Sequence, residues 1–256
     1  MTEIMENHPE NLPTNLPQML DIWEKTLHWQ PNIQQQQNLQ TLYELIIAGN
    51  RQFNLTRITE PEEFWEKHLW DSLRGIAPEG ELISTLNNGT TIIDIGTGAG
   101  FPGLPIAINF PNSQVTLLDS TRKKINFIDS VIDKISLSNA KTLVGRVEDI
   151  GQNYQHREKY DLALIRAVGN VSICVEYALP LVKKRGLAII YRGTWSQEEN
   201  ETLENAVELL GANIELIDQF TTPLSESIRH CLYLRKIKNT PIHFPRDVGI
   251  PKQKPL

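Results

Sequence analysis

The sequence has little cysteine and no long apolar run, and both absences narrow the class of protein. Cys174 and Cys231 are its only cysteines among 256 residues, and no Cys-x-x-Cys pair or histidine cluster accompanies them. We therefore expect neither disulfides nor a metal site. Two cysteines are also what is expected of a protein from a reducing compartment. No apolar stretch approaches the roughly 18 residues of a membrane-spanning helix. The acidic N-terminus is unlike a signal peptide, so we expect a cytoplasmic protein without membrane contact.

An overall excess of positive charge is also lacking, but the charges are unevenly distributed. The net charge of −6 argues against bulk electrostatic binding of nucleic acid. Residues 1–90 contain 5 Lys+Arg and 13 Asp+Glu, whereas residues 229–256 contain 7 and 1. The basic C-terminal end is either a solvated tail or a phosphate-contacting surface, and composition alone slightly favours the tail.

A glycine-rich turn after an apolar strand is the most informative local pattern. Residues 91–103 read TIIDIGTGAGFPG, with alternating glycines at Gly96, Gly98 and Gly100. The isoleucines predict a buried strand, the glycines a turn that a ligand can approach, and the residues from Leu104 a helix. Such a turn presents backbone N–H groups to the nucleotide part of a cofactor. Taken alone, the pattern favours an ordinary glycine-rich turn with a helix-capping aspartate.

A second strand end strengthens the prediction of a cofactor site. Asp119 ends an apolar strand that begins at Gln114 and lies 23 positions after Gly96. This is near the ~20 positions expected for a carboxylate that binds ribose hydroxyls. Ser120 and Thr121 follow, Thr121 as a candidate helix N-cap, and both belong to the predicted cofactor site.

The chain divides into four predicted regions. Residues 1–15 are expected to be disordered, and residues 16–90 to form an N-terminal extension of three helices, with Gly49 ending the second and Pro61 beginning the third. Residues 91–239 alternate strands and helices and close with a hairpin of residues 213–220 and 229–236. Residues 240–256 contain four prolines and basic side chains, so regular structure is not expected there.

Several polar residues lie where a ligand is expected, each with an ordinary structural alternative. Val147 and Glu148 follow the third strand, where an adenine can be held; the alternative is an exposed acidic turn. Arg166 ends the fourth strand and is expected to face ligand, with an ion pair to Glu148 or Asp94 as the alternative. His68 and Asp71 are neighbours on a helix, which favours a surface or cap hydrogen bond.

The order of these features resembles a class I S-adenosylmethionine-dependent methyltransferase, with a nicotinamide dehydrogenase as the competing class. More specifically, the chain resembles the RsmG family, also called glucose-inhibited division protein B. The motifs that carry this resemblance run in order through the chain: NLT at 54–56, HLWDS at 68–72, DIGTGAGFPGLPIAI at 94–108, LLDS at 117–120, RVE at 146–148, RAV at 166–168 and the C-terminal PRDVGIPKQKPL. The implied fold is α/β and Rossmann-like, with a seven-stranded, mostly parallel sheet, a C-terminal hairpin and an N-terminal helical extension.

The resemblance implies methyl transfer from S-adenosylmethionine to N7 of one guanine, position 527, in 16S rRNA. The cofactor residues it implies, together with those of the class, are Asp94, Gly96, Gly98, Gly100, Phe101, Asp119, Ser120, Thr121, Val147, Glu148 and Arg166. The residues expected at the target base are Asn54, His68, Asp71, Arg166, Arg192 and Arg229. One departure is Arg192-Gly193, where the family usually has lysine-glycine.

The resemblance also implies the partners and the type of catalysis. Guanine N7 carries a free lone pair, so no general base is needed and catalysis is positioning. A guanine-reading arginine must bond O6 alone, because N7 has to remain open. The partner is 16S rRNA or the small ribosomal subunit, whose phosphates the basic residues 122–124, 183–185 and 240–256 are expected to hold, and the protein is expected to be a monomer. A small-molecule methyltransferase, a dehydrogenase and a non-enzymatic cofactor-binding module are the alternatives.

Overall fold

A computed structural model describes residues 15–80, 84–87 and 89–256. The predicted disorder of residues 1–15 therefore falls almost wholly outside the described residues. The described chain contains a seven-stranded sheet whose strand order is β3-β2-β1-β4-β5-β7-β6. Its strands are β1 Thr91–Ile95, β2 Gln114–Asp119, β3 Ala140–Val144, β4 Tyr160–Arg166, β5 Val182–Arg192, β6 Ala212–Thr221 and β7 Ile228–Lys236.

The sheet is parallel except at its C-terminal edge. The first five strands pair in parallel, and β7 lies antiparallel between β5 and β6. The predicted Rossmann-like fold and its closing hairpin are thus confirmed. Strand order reverses between β1 and β4, and in such sheets the ligand crevice lies at the carboxyl ends of the strands on either side of that point.

Ten helices are described, several of them short. They are α1 Leu20–Leu27, α2 Ile33–Phe53, α3 Pro61–Phe64, α4 Asp71–Arg74, α5 Gly103–Asn109, α6 Arg122–Ile135, α7 Val147–Gln152, α8 Val171–Ala178, α9 Gln197–Leu209 and α10 Ile250–Gln253. A π-helical turn, Trp65–Trp70, joins α3 to α4, and 3₁₀ turns cover Pro78–Gly80 and Ser84–Asn87. None of the helices in the described ranges is long and apolar enough to cross a bilayer.

The prediction that Gly49 ends the second helix is wrong. Helix α2 continues to Phe53 and is followed by Asn54 in the left-handed conformation. A Cβ atom on Gly49 would lie 2.4 Å from Cε2 of Phe127 on α6. The glycine is therefore explained by the close approach of the Phe127 ring rather than by a helix terminus.

The N-terminal helices and one face of the sheet share an apolar core. Polar contacts join them as well, since the Tyr191 hydroxyl donates to the Ser72 carbonyl at 2.9 Å and the Tyr233 hydroxyl to the Gly75 carbonyl at 2.8 Å. Arg74 forms a buried ion pair with Asp218 at 2.7 Å. These contacts fix the helix of residues 61–74 across β5, β6 and β7, and Tyr191 is near the carboxyl end of β5.

Two predictions about basic segments are corrected. The basic turn expected at residues 183–185 lies within β5. The C-terminal residues contain helix α10, although regular structure was not expected there. Pro251 is compatible with that helix because it lies in the first turn, where its missing N–H has no intrahelical partner to lose.

Candidate functional site

The carboxyl ends of β1, β2, β3 and β4 surround a cleft of about 280 Å³. The predicted cofactor residues Gly96, Asp119, Ser120, Thr121 and Val147 line it. The other lining residues are Ile95, Leu118, Lys124, Gly145, Arg146, Ala167, Val168, Tyr177 and Lys252. Tyr177 and Lys252 were not predicted, because α8 and the C-terminal segment that bring them to the cleft are distant in sequence from the strand ends.

Gly96 of the glycine turn lines the cleft, and Asp94 stabilises the turn through hydrogen bonds. Gly96 has φ +68°, and a Cβ atom there would lie 2.8 Å from Cγ2 of Val168. Oδ2 of Asp94 accepts hydrogen bonds from the Thr97 hydroxyl at 2.6 Å and from the Gly103 N–H at 2.8 Å. Burial raises the pKa of Asp94 to about 6, although these bonds and the charge of Arg166 oppose the shift. Asp94 therefore holds the turn in shape.

Asp119 links the glycine turn to the second strand end. Its Oδ2 accepts from the Gly98 N–H at 3.1 Å and its Oδ1 from the Thr121 N–H at 2.8 Å. Each oxygen can accept a further hydrogen bond, because an ionised carboxylate has about four acceptor positions. A ribose diol placed in the cleft would therefore meet a fixed acceptor.

Glu148 is buried rather than part of an exposed acidic turn. Its Oε1 accepts from Nη2 of Arg146 at 3.0 Å, from the Tyr177 hydroxyl at 3.0 Å and from the Gly249 N–H at 3.1 Å. Burial alone would raise its pKa, but these hydrogen bonds hold the pKa of Glu148 below its usual value. Its Oε2 is buried and has no hydrogen-bond partner among the described residues.

These features fit an adenosyl cofactor. A Cβ atom on Gly96 would fill the space beside the backbone of the turn, so only glycine leaves that space open to a ligand. Asp119 offers acceptors for the two hydroxyls of a ribose, and Oε2 of Glu148 offers an acceptor for an amine. Among the described residues, no group of three or more His, Cys, Asp or Glu side chains that could hold a metal ion is found.

A second cluster lies beside the glycine turn and consists of Thr56, His68, Asp71, Phe101 and Arg166. We call it the aromatic–arginine cluster. The His68 ring stacks on Phe101, with ring centroids 4.3 Å apart and an interplanar angle of 8°. The guanidinium of Arg166 lies 5.9 Å from the centre of the same ring. Its Nη1 pairs with Oδ2 of Asp71 at 2.8 Å, so the alternative partners Glu148 and Asp94 are wrong.

The π-helical turn places the helical members of this cluster. In an α-helix the Asp71 N–H would bond to the Lys67 carbonyl, but here it bonds to Glu66 instead. The Lys67 carbonyl accepts a hydrogen bond from Nη1 of Arg166 at 3.0 Å. The wide turn thus supplies a second anchor for the arginine at the end of β4.

Asp71 is buried and His68 is half-buried, and both are held by polar contacts within the aromatic–arginine cluster rather than lying on an exposed surface. Nε2 of His68 lies 2.8 Å from the Thr56 hydroxyl, while its Nδ1 is buried without a partner among the described residues. Burial, with the charges of Arg166 and Lys67, lowers the pKa of His68 to about 3. The imidazole is therefore neutral at physiological pH and is not a cationic group.

The other residues expected at the target base lie outside this cluster. Asn54 is exposed and ends α2, with φ 49°. Arg192 forms an ion pair with Glu199 and donates to the Gly169 carbonyl at 2.8 Å. Nη1 of Arg229 would lie 3.6 Å from a Cβ atom on Gly193. Arg229 therefore lies beside Arg192-Gly193, the pair at which this sequence departs from the lysine-glycine that is usual in the family.

Comparison with known proteins identifies relatives over nearly the whole chain. A family model described as rRNA small subunit methyltransferase G matches residues 35–231. The chain is 66% identical over 241 residues to ribosomal RNA small subunit methyltransferase G of Trichormus variabilis, covering 94% of this chain and 98% of that protein. It is 65% identical to the protein of the same name from Nostoc sp., with the same coverage.

Solved structures share the fold at low sequence identity. One is the 16S rRNA (adenine(1408)-N(1))-methyltransferase from Catenulisporales acidiphilia, with a TM-score of 0.50 and 12% identity. The match covers 60% of this chain and 90% of that chain. This likeness supports the sheet topology and carries no argument about the substrate.

Proposed function

Because the chain belongs to the rRNA small subunit methyltransferase G family, we propose that it transfers a methyl group from S-adenosylmethionine to N7 of a single guanine, position 527, in 16S rRNA. The observation that carries the proposal is the junction of two sites at the glycine turn. The cofactor cleft is lined by Gly96 of this turn, and the aromatic–arginine cluster contains Phe101 of the same turn.

The cofactor residues act by binding and orientation. Asp119 would accept from the ribose hydroxyls, Glu148 from the adenine amine, and the turn from Gly96 to Gly100 would hold the part of the cofactor next to the reacting carbon, while Ser120, Thr121 and Val147 line the cleft. The bound cofactor supplies an activated methyl group on a sulfonium. The protein must then exclude water from that group and fix its direction relative to the guanine.

The aromatic–arginine cluster would offer a guanine a stacking surface and a hydrogen-bond donor, without a group that removes a proton from the base. Aromatic rings provide a stacking surface for a base extruded from its RNA. Arg166 is the candidate for the single hydrogen bond to guanine O6, because it lies in the cluster and its bonds to Asp71 and to the Lys67 carbonyl both use Nη1. The positive charge that passes to the base is offset by the nearby carboxylates of Asp71 and Asp94. No proton has to be removed, so a neutral, half-buried His68 is compatible with this chemistry.

The remaining contacts follow from the substrate. Basic residues 122–124 on α6 and 183–185 on β5 would neutralise RNA phosphates, and the affinity should fall with rising salt. We further propose that the enzyme acts as a monomer in the cytoplasm, on 16S rRNA or on the small ribosomal subunit, without a membrane.

The test is a methylation assay with isotope-labelled S-adenosylmethionine and small subunits or 16S rRNA lacking the modification. Mapping of the labelled nucleotide should give one N7-methylguanine at position 527. Label on another nucleotide would refute the position. Absence of label together with NAD binding would favour the dehydrogenase, and labelling of a small molecule alone would favour the small-molecule methyltransferase.

A further inference from the structure

The C-terminal segment, residues 240–256, is fixed to the protein rather than solvated. The Arg157 guanidinium donates to the carbonyls of Phe244 at 2.6 Å and Thr240 at 2.9 Å. The side chain of Gln152 donates to the Pro245 carbonyl at 2.8 Å. The segment therefore lies against the region around α7, which begins at the cofactor cleft.

Two further contacts tie this segment to Glu176 and Glu148, which are next in sequence to the cleft residues Tyr177 and Val147. Arg246 pairs with Glu176, with Nη2 and Oε2 2.6 Å apart, and the Glu176 side chain is fully buried. Glu176 precedes Tyr177, which lines the cleft and donates to Glu148. The Gly249 N–H donates to the same oxygen of Glu148 at 3.1 Å. The segment thus helps to set the position of the Glu148 carboxylate.

Lys252, on helix α10, reaches the cleft directly. It lines the cleft together with Arg146 and Tyr177. Arg146 is paired with Glu148 at 3.0 Å, whereas no ion pair joins Lys252 to any of the described residues. The Lys252 ammonium therefore has donors available for a ligand.

The segment offers an RNA backbone fewer free cations than its composition suggests. Of its three cationic residues, Arg246 is neutralised by buried Glu176, whereas Lys252 and Lys254 are exposed and Lys252 also lines the cleft. Asp247 adds a negative charge to the same segment. Phosphate binding by this segment would therefore depend mainly on Lys252 and Lys254, and the position of Lys252 at the cleft points to a second role for it.

We propose that the C-terminal segment is a wall of the cofactor site and that Lys252 and Glu148 together read the edge of the adenine. The exocyclic amine of adenine is a donor flanked by two ring nitrogens, N1 and N7, that are acceptors. The free Oε2 of Glu148 accepts from the amine, and the Lys252 ammonium donates to one of the flanking nitrogens. This inference rests on the proposed use of S-adenosylmethionine and adds a residue and a segment to its site.

The first test measures binding of S-adenosylhomocysteine by calorimetry to three proteins. Lys252→Ala should weaken binding about tenfold, the size of a charge-assisted hydrogen bond at a partly solvated site. The matched control, Lys254→Ala, removes the same charge from the same segment and should stay within about twofold. Equal affinities for wild type and Lys252→Ala would overturn the inference, whereas a wild type that binds no S-adenosylhomocysteine would overturn the proposed function instead.

The second test identifies the atom that Lys252 meets. The 1-deaza and 7-deaza analogues of S-adenosylhomocysteine each replace one ring nitrogen with a CH group. One of them should bind the wild type about tenfold more weakly than the parent compound and should show no such loss against Lys252→Ala. Losses that persist in Lys252→Ala would overturn the assignment. So would a smaller salt dependence of 16S rRNA binding in Lys252→Ala with unchanged S-adenosylhomocysteine affinity, since that result indicates a phosphate contact.

Discussion

The two sites at the glycine turn are built in different ways. The cofactor cleft is lined by strand ends, the glycine turn and the Asp119 carboxylate, and Val147 of its lining precedes the buried Glu148. The aromatic–arginine cluster is made of side chains from residues 56–71, the glycine turn and β4. On the proposed function, the cofactor would be held by features of the fold, whereas the site for the target base would depend on side chains that the N-terminal helices and the loop between them add to that fold.

The largest effect is expected from a substitution that changes the cofactor cleft and leaves the aromatic–arginine cluster unchanged. In Gly96→Val, the new side chain would meet Val168 and the residue would be strained at φ +68°. We expect S-adenosylmethionine binding to weaken by at least about 100-fold in calorimetry, because such overlap and strain cost several kcal/mol. Gly89→Val is the matched control, since Gly89 has φ +79° with nothing within 4 Å of an added Cβ. If both variants bind equally, the close approach at Gly96 is irrelevant.

The pH dependence of the free energy of unfolding tests the aromatic–arginine cluster through His68. The pKa of His68 is about 3 in the folded protein and ~6.5 when unfolded. Its contribution to stability is present above the unfolded value and is lost as the pH falls from there. Between pH 7.5 and 5, wild type should therefore lose about 2 kcal/mol relative to His68→Gln.

Urea unfolding of both proteins at the two pH values measures this difference. Comparing them cancels the opposing contribution of Asp94, whose raised pKa favours the folded state as the pH falls below about 6. Parallel pH dependences in the two proteins would show that His68 titrates normally and is not half-buried as described.

The smallest effect is expected from a substitution at His68, which distinguishes cofactor binding from methyl transfer. His68→Phe keeps an aromatic ring against Phe101 but loses the Thr56 hydrogen bond and the free Nδ1. Single-turnover methyl transfer to 16S rRNA should slow by about tenfold, the size of one neutral hydrogen bond. Cofactor affinity should change by less than about twofold. An equal loss in both quantities would contradict the separation of the two sites.

The sequence predicted the cofactor site better than the target site for physical reasons. The carboxyl ends of parallel strands must meet at one edge, so Gly96, Asp119 and Val147 could be placed together from strand patterns alone. The position of the Arg166 guanidinium could not, because it depends on a π-helical turn with no signature in the sequence.

Other differences arise from contacts between residues that are far apart in the sequence. Gly49 looked like a helix terminus because its packing against Phe127 is a contact between residues far apart in sequence. The C-terminal prolines obscured α10 and the approach of Lys252 to the cleft. Composition could not distinguish a basic residue that faces solvent from one paired with a buried carboxylate, such as Arg246.

The decisive measurement is the pH dependence of single-turnover methyl transfer to 16S rRNA with saturating S-adenosylmethionine. Catalysis by positioning needs no general base, because guanine N7 has no proton to lose and His68 in the cluster is neutral. The rate should therefore stay constant within about twofold from pH 6.5 to 8.5. A rate that rises about tenfold per pH unit in this range would reveal an essential general base and contradict the account.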